Sequence, residues 1–340
     1  MTDPVETLQR IAYLLERSQA PTYRVRAFRN AASAARQAGG ERLASLAAAG
    51  RLTELAGIGD KTASVIAEAL AGEKPKYLAK LEEEVGAAAD EDEVDSETAA
   101  LLKALRGDLH SHSDWSDGGS PIEEMAVAAR DLGHEYLALT DHSPRLTVAH
   151  GLDADRLRRQ LDVVAALNEK LAPFTILTGI EVDILEDGRL DQTDELLGRL
   201  DVVVASVHSK LRMDAKAMTA RMIRAVSNPL VDVLGHCTGR IVVGRGRPQS
   251  TFDAAAVFAA CVEGRTVVEI NSRPERLDPP DELIQVAADA GCVFSIDTDA
   301  HAPGQLEWQI NGARKAVACG LGPNRVVNAL PADPLVDLFR

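Results

Sequence analysis

The sequence predicts an α/β protein preceded by a separate small all-helical domain. Three observations carry that prediction. Residues 1–85 repeat apolar side chains at helical spacing. Residues 86–98, GAAADEDEVDSET, interrupt the pattern with acidic and small residues. From residue 107 onward, short apolar runs alternate with helical stretches, which argues for a parallel sheet or a barrel.

Taken in order, Thr2-Asp3-Pro4 is a helix start, a capping side chain with proline in the first turn. Val5, Leu8, Ile11, Ala12 and Leu15 then recur at helical spacing. A second helix is predicted over about 23–37, ending at Gly39-Gly40, and a third over 41–49, stopped by Gly50. LTELAGIGDKTASVIAEAL, residues 52–70, reads as helix, two-glycine turn, helix. The domain is taken as 1–85 and the acidic linker as 86–104, where large apolar groups are scarce. The remainder, 105–340, holds the strand candidates GDLH (107–110), YLALT (136–140), FTILTGIEV (174–182), DVVVASVH (201–208), VDVLGH (231–236), RTVVEIN (265–271), CVFSID (292–297) and RVVNAL (325–330).

Of the 340 residues, 46% are hydrophobic and only 4% aromatic, so Ala, Leu and Val must supply most of the packing. No apolar run approaches the ~18 residues of a membrane span, and MTDPVETLQR lacks the apolar centre of a signal peptide. A cytoplasmic protein is expected, and the widely spaced Cys237, Cys261, Cys292 and Cys319 read as reduced core thiols. The net charge of -15 is uneven. Residues 1–85 carry 12 Lys+Arg against 11 Asp+Glu, so the acidity belongs to the C-terminal part. That argues against nucleic-acid binding by bulk field and is compatible with held divalent cations.

Six of the eight histidines fall at or just past a predicted strand end. His110 and His112 follow the first strand in DLHSHSDWSDG, with Asp117 just beyond. His142 follows the second, Glu181 ends the third, and His208 and His236 end the next two. Asp299 and His301 follow CVFSID. In a β/α barrel that face is where active sites are built, and strands far apart in sequence would deliver these groups to one cup. Imidazole with carboxylate suits Zn²⁺, Mn²⁺ or Fe²⁺, and nine ligands suit two or three ions. His134 and His150 do not follow strands and read as structural.

The strings DLHSHSDWSDG, LTDHS, TGIEVDI, ASVHS, LGHCTGR, VEINSRPERLD and DTDAH, in that order, resemble the PHP (polymerase and histidinol phosphatase) family of metal-dependent phosphoesterases. They are similar to the PHP domain at the C-terminus of bacterial family X DNA polymerases. The resemblance covers about 105–340 and implies a distorted (β/α)7 barrel with three divalent metal ions. Matched motif by motif, it implies one ion held by His110, His112, Glu181 and Asp299. It implies a second held by Glu181, His208 and His236, with Glu181 bridging, and a third held by Asp117, His142 and His301. In family X polymerases the first histidine of the HxH motif is often replaced; here it is present.

LAGIGDKTASVIAEAL resembles a helix-hairpin-helix motif, and residues 1–85 look like the small DNA-binding domain of the same polymerases. Gly57 and Gly59 would allow a tight turn with bare N–H groups, and the next helix N-terminus adds its dipole for a DNA phosphate. Lys61, Arg24, Arg26 and Arg29 are candidate phosphate contacts. An ordinary helical cap or dimer module using a glycine turn is the plain alternative. The polymerase region that normally separates the two parts is absent, so no polymerase activity is expected. Val65 stands where some relatives carry a lyase lysine, and Lys61 is the only lysine of that helix.

The resemblance implies a phosphoesterase or nuclease acting on DNA ends, by attack of metal-activated hydroxide on phosphorus. The reactions it implies are 3'-phosphatase or phosphodiesterase, 3'-5' exonuclease, or abasic-site endonuclease. A small-molecule phosphatase of the histidinol-phosphatase type and a non-catalytic DNA-binding scaffold are the alternatives. Arg240, Arg245, Arg273 and Arg276 follow barrel strands and are candidate phosphate forks. Lys210 is a further candidate, and Asp141 is expected to orient a ligand histidine or to cap the next helix.

Overall fold

A computed structural model describes residues 3–91 and 94–340. They form two compact units, Met1–Val94 and Asp95–Arg340. In the first, α1 (Pro4–Arg17) starts where Asp3 accepts from the Val5 and Glu6 amides at 2.6 and 3.3 Å; Thr2, part of the expected start, lies outside the described residues. α2 (Thr22–Ala38) and α3 (Gly40–Ala48) follow, then α4 (Asp60–Leu70) and α5 (Lys76–Glu91). Leu8, Ile11, Leu15, Phe28 and Ile66 pack into one apolar core, each contributing on the order of 1.5–3 kcal/mol of burial.

Two expectations for this unit are corrected. Residues 52–54 form a single 3-10 turn rather than a helix, because Leu52 and Ile58 both turn into the core on either side of a short run. The hairpin is therefore α3, this turn, then α4. Only Gly57 has a positive φ, at 92°; Gly59 is extended and serves as the α4 N-cap.

The second unit begins earlier than expected. α6 (Ser96–Ala104) starts where Asp95 accepts from the Glu97 and Thr98 amides at 2.9 and 2.8 Å. Leu101 and Leu105 join the barrel's largest apolar cluster. The linker expectation is thus wrong at both ends, since α5 also runs to Glu91; residues 92 and 93 of it lie outside the described residues. The acidic composition masked the last turns of α5 and the whole of the capped α6.

Seven strands, all parallel and in sequence order, make a nearly closed barrel. They are β1 (Gly107–Ser111), β2 (Tyr136–Leu139), β3 (Thr175–Asp183), β4 (Val202–Ser206), β5 (Val233–Leu234), β6 (Val267–Asn271) and β7 (Phe294–Asp297). The eighth expected strand, 325–330, is mostly two 3-10 turns with one bridge from Val326 to Phe294. Its ladder is replaced by the Asn328 carboxamide, which donates to Gly107 O and Ile296 O at 3.2 Å and accepts from Ile296 N at 2.8 Å.

Side-chain alternation then sorts the interior by height. Tyr136, Ala138, Leu177, Val202, Val204 and Val267 fill the lower barrel as one apolar cluster. Two or four residues further along the same strand faces come His142, Glu181, His208 and Glu269. A register irregularity between Asp108 and Ser111 lets β1 place Leu109 in that lower cluster and still bring His110 and His112 to the upper one.

Candidate metal centre

Glu181 is the hub. Its Oε2 lies 3.4 Å from His110 Nε2, 3.6 Å from His112 Nε2 and 2.8 Å from His142 Nδ1. Its Oε1 lies 3.1 Å from His208 Nε2 and 2.8 Å from His236 Nε2. Asp117 Oδ1 stands 3.4 Å from both His142 Nε2 and His301 Nε2. Asp299 Oδ1 is 3.4 Å from His112 Nε2 and 3.6 Å from His301 Nδ1. All nine residues expected as ligands therefore come together at the C-terminal end of the barrel.

Three groups among the described residues have the spacing of a metal site. They are His112, Asp117, His142 and His301; His110, His112 and Glu181; and His142, Glu181 and His208. The division differs in detail from the expected one. His142 also reaches Glu181, and Asp299 is drawn toward arginines, with Arg276 Nε at 3.1 Å from its Oδ2. Asp299 holds this place with a φ of 53°, a left-handed conformation that aspartate tolerates better than most residues.

Several of these atoms are buried with no hydrogen-bond partner: His110 Nε2, both nitrogens of His112 and His208, His142 Nδ1, His236 Nδ1 and Glu181 Oε2. Buried polar atoms are normally paired, and an unpaired one costs roughly 1–3 kcal/mol. So many in one place, with lone pairs converging on two carboxylates, fit divalent cations. The electrostatics agree. Burial raises the Glu181 carboxyl, but His208, His142 and His110 outweigh it and hold it well below the usual range. Asp299 is held down in the same way by His112, His110, Arg273 and Arg276. Burial and the neighbouring rings of His301 and His142, 4.2 and 4.4 Å away, push His112 well down and favour its neutral form, the form in which an imidazole can bind a metal. His208 goes the other way: burial lowers it, but Glu181 and Asp183 carry it to about 9.

The supporting residues were partly missed in the sequence. Glu269 accepts from His110 Nδ1 at 2.6 Å and from the His236 amide, fixing the tautomer that turns His110 Nε2 toward Glu181. Asp183 lies 3.4 Å from His208 Nδ1 and accepts from its amide. Both were within reach of sequence reasoning, because each stands two residues from an inward-facing neighbour on its strand. Asp141 does neither job expected of it. It accepts from the Ser113 amide and hydroxyl at 2.8 and 2.6 Å, from Ser116 Oγ and from Gln160 Nε2, so it pins the loop that carries Asp117.

The arginines divide. Arg273 and Arg276 line the cavity above the hub, about 400 Å³ in volume. Arg273 Nη1 lies 2.9 Å from His301 Nδ1, and Arg276 Nη1 is buried without a hydrogen-bond partner. Arg240 is instead turned away: its guanidinium donates to Arg276 O and Leu277 O and braces their loop. Arg245 is exposed and does not line the cavity.

In the helical unit, Arg29 is committed to the fold, paired to Glu16 Oε1 at 2.6 Å. Arg24 donates to Tyr77 Oη at 2.7 Å, and Lys61 stands 5.0 Å over the Tyr77 ring. Arg26 is exposed. The Gly59 N–H is not bare as expected, because Thr62 Oγ1 accepts it at 3.0 Å. The amides of the first α4 turn, Asp60 to Thr62, precede the first helical bond, from Ala63 N to Gly59 O.

The chain is similar to known proteins. The PHP domain matches residues 108–273 and a helix-hairpin-helix domain matches 2–75. The DNA polymerase/3'-5' exonuclease PolX of Bacillus subtilis (strain 168) is 39% identical over 67% of the chain, which spans 40% of that protein's length. A protein named "Probable phosphatase", from Thermoanaerobacter sp. (strain X514), is 31% identical over 57% of the chain and 78% of its own length. The solved histidinol phosphate phosphatase of Lactococcus lactis subsp. lactis, complexed with zinc, L-histidinol and phosphate, aligns at a TM-score of 0.46 and 16% identity over 64% of this chain and 94% of that one. The chain belongs to the PHP family of divalent-metal phosphoesterase hydrolases and carries a helix-hairpin-helix domain beside its barrel.

Proposed function

We propose that this phosphoesterase acts on DNA ends, removing a 3'-terminal phosphate or nucleotide. The observation that carries the reading is the pairing, in one chain, of the Glu181 hub with a helix-hairpin-helix turn. Gly57, at a φ of 92°, brings the chain tightly into α4, whose first-turn amides and exposed Lys61 suit a backbone phosphate. The Bacillus relative's name includes a 3'-5' exonuclease.

Three divalent ions, Zn²⁺, Mn²⁺ or Fe²⁺, would be held by His110, His112, Glu181 and Asp299; by Glu181, His208 and His236; and by Asp117, His142 and His301. Bound there, they would supply Lewis acidity toward the phosphate ester and toward water. The chain's own residues do the rest. Glu269 and Asp183 hold His110 and His208 in place. Asp141 fixes the loop of Asp117. Arg276, whose Nη1 has no hydrogen-bond partner, and Arg273 present cationic donors to a phosphate that enters the cavity. Arg24, Arg26 and Lys61 remain the candidate DNA contacts; Arg29 is not one, because it is spent on Glu16.

A gel tests this. Duplexes labelled at the 5' end and finishing in 3'-hydroxyl, 3'-phosphate or an internal abasic site are incubated with Mn²⁺ or Zn²⁺. Processing that disappears in His112→Ala supports the reading and names the preferred end. Inertness toward every duplex, with glycerol 3-phosphate hydrolysed, would replace it with a small-ester phosphatase.

A further inference from the structure

The cavity above Glu181 has a polar floor and two apolar rims. Of the side chains lining it, only Leu146 and Ile241 are apolar. They come from opposite sides of the barrel. Leu146 lies in the loop after β2 and Ile241 in the hairpin after β5, and in a ring of seven those strands are nearly diametric. Both are seated on rigid backbone. The Leu146 amide donates to Ser143 O at 3.2 Å and its carbonyl accepts from Gly151 N at 3.3 Å. Ile241 exchanges two backbone bonds with Arg247, at 2.9 and 2.8 Å, and the next amide, Val242, donates to Glu275 O at 2.8 Å.

Neighbouring side chains carry the apolar character outward: Val148 is 86% exposed, Val242 50% and Val243 45%. These valines do not line the cavity, but they follow Leu146 and Ile241 closely in the chain, so the exposed segments at both rims are aliphatic. A phosphate and its contacts need only the floor, and about 400 Å³ leaves room for more of the substrate. A flat ring with two apolar faces, joined within a few bonds to a phosphate, fits such a space. That is a nucleoside, and apolar side chains on both faces of a base are a recurrent way to hold one out of its stack.

We infer that Leu146 and Ile241 form a clamp for the terminal nucleoside of the phosphate ester, so that the barrel itself selects nucleotides. The inference rests on the phosphoesterase reading and deepens it, but it does not need the helical unit. It assigns specificity to the barrel mouth and leaves the bond-breaking groups below it untouched.

The test compares thymidine 3'-monophosphate with glycerol 3-phosphate, on the full chain with Mn²⁺, for wild type, Leu146→Ser, Ile241→Ser and the pair. The wild type should prefer the nucleotide. The paired variant should raise KM for the nucleotide about ten-fold, leave its kcat within about two-fold, and leave glycerol phosphate hydrolysis unchanged. Calorimetric binding of thymidine 3'-monophosphate should weaken in parallel, and Leu146→Ile with Ile241→Leu should restore it. Equal losses on both substrates, or no change on the nucleotide, would overturn the clamp. If the nucleotide preference is present and abolished while duplex ends are never processed, the clamp stands and the DNA-end reading falls. If duplex ends are processed and the variants behave as wild type, the reverse holds.

Discussion

The two units solve opposite problems with the same chain. The helical unit buries apolar side chains and few polar ones, Thr7, Glu16 and Thr62 among them, and its one glycine-turn feature, Gly57 at a positive φ, is a matter of backbone. The barrel buries four imidazoles, of His110, His112, His142 and His236, with the carboxylates of Glu181 and Asp299, where an ordinary protein would place leucines, and sets His208 and His301 half-buried beside them. Backbone recognition costs little stability and asks little of side-chain charge. Side-chain chemistry requires a buried, unpaired polar cluster that the surrounding apolar barrel must hold together.

That contrast can be broken or sharpened experimentally. The largest effect is expected at the hub. Glu181→Gln should lower phosphoester hydrolysis by about a thousand-fold or more, and elemental analysis should show metal lost, while affinity for DNA stays within about two-fold. A parallel loss of DNA binding would show that the two units are not separable.

Next comes pH, which should act on the barrel. Burial pushes Asp232 up to about 7, and its carboxylate accepts from the Val203 amide at 2.7 Å. A raised carboxyl stabilises the fold fully below its unfolded value and loses that stability as pH rises through the folded one. The barrel should therefore lose about 2–4 kcal/mol between pH 4 and pH 8 from this group. Asp232→Asn should flatten that slope in melting experiments; an unchanged slope would assign it to other groups.

Arg29→Ala should then cost the helical unit about 2 kcal/mol, because two guanidinium N–H groups of Arg29 donate to Oε1 of the buried Glu16. The exposed Arg26→Ala should leave the melt unchanged and weaken DNA binding only. Smallest is Gly57→Ala, about 1 kcal/mol in the helical melt, since φ is 92° and a Cβ would meet Asn30 O at 3.3 Å. It should weaken DNA binding several-fold and leave glycerol phosphate hydrolysis alone.

What the sequence made legible follows the same division. Imidazole and carboxylate at strand ends are rare enough to be read as a cluster, and His110 through His301 do meet around Glu181 and Asp117. Groups that act through another group were harder. Glu269 stood inside a quoted motif, yet nothing local says that it accepts from His110. Asp141 was noticed and given the wrong partners, because its four donors lie on a loop and a helix that only the fold assembles. In the helical unit, Arg29 looks like a phosphate contact from the sequence, which does not show that Glu16 faces it. The helix at Ser96–Ala104 was hidden by an acidic neighbourhood, although Asp95 is a regular cap.

The join between β1 and β7 has a consequence of its own. Most neighbouring strands in the barrel are held by amide ladders, whose spacing of about 4.8 Å is fixed. This one is riveted largely by side chains. Gln309 and Asn328 each donate to both Gly107 O and Ile296 O, and Asp297 accepts from the Leu109 amide while Asp108 accepts from Thr298. Of the two strands so joined, β1 carries His110 and leads to His112, and β7 leads to Asp299 and His301. The width of this gap is set by the reach of carboxamides and carboxylates. It can therefore be adjusted one substitution at a time, like a buckle, without unpicking a strand.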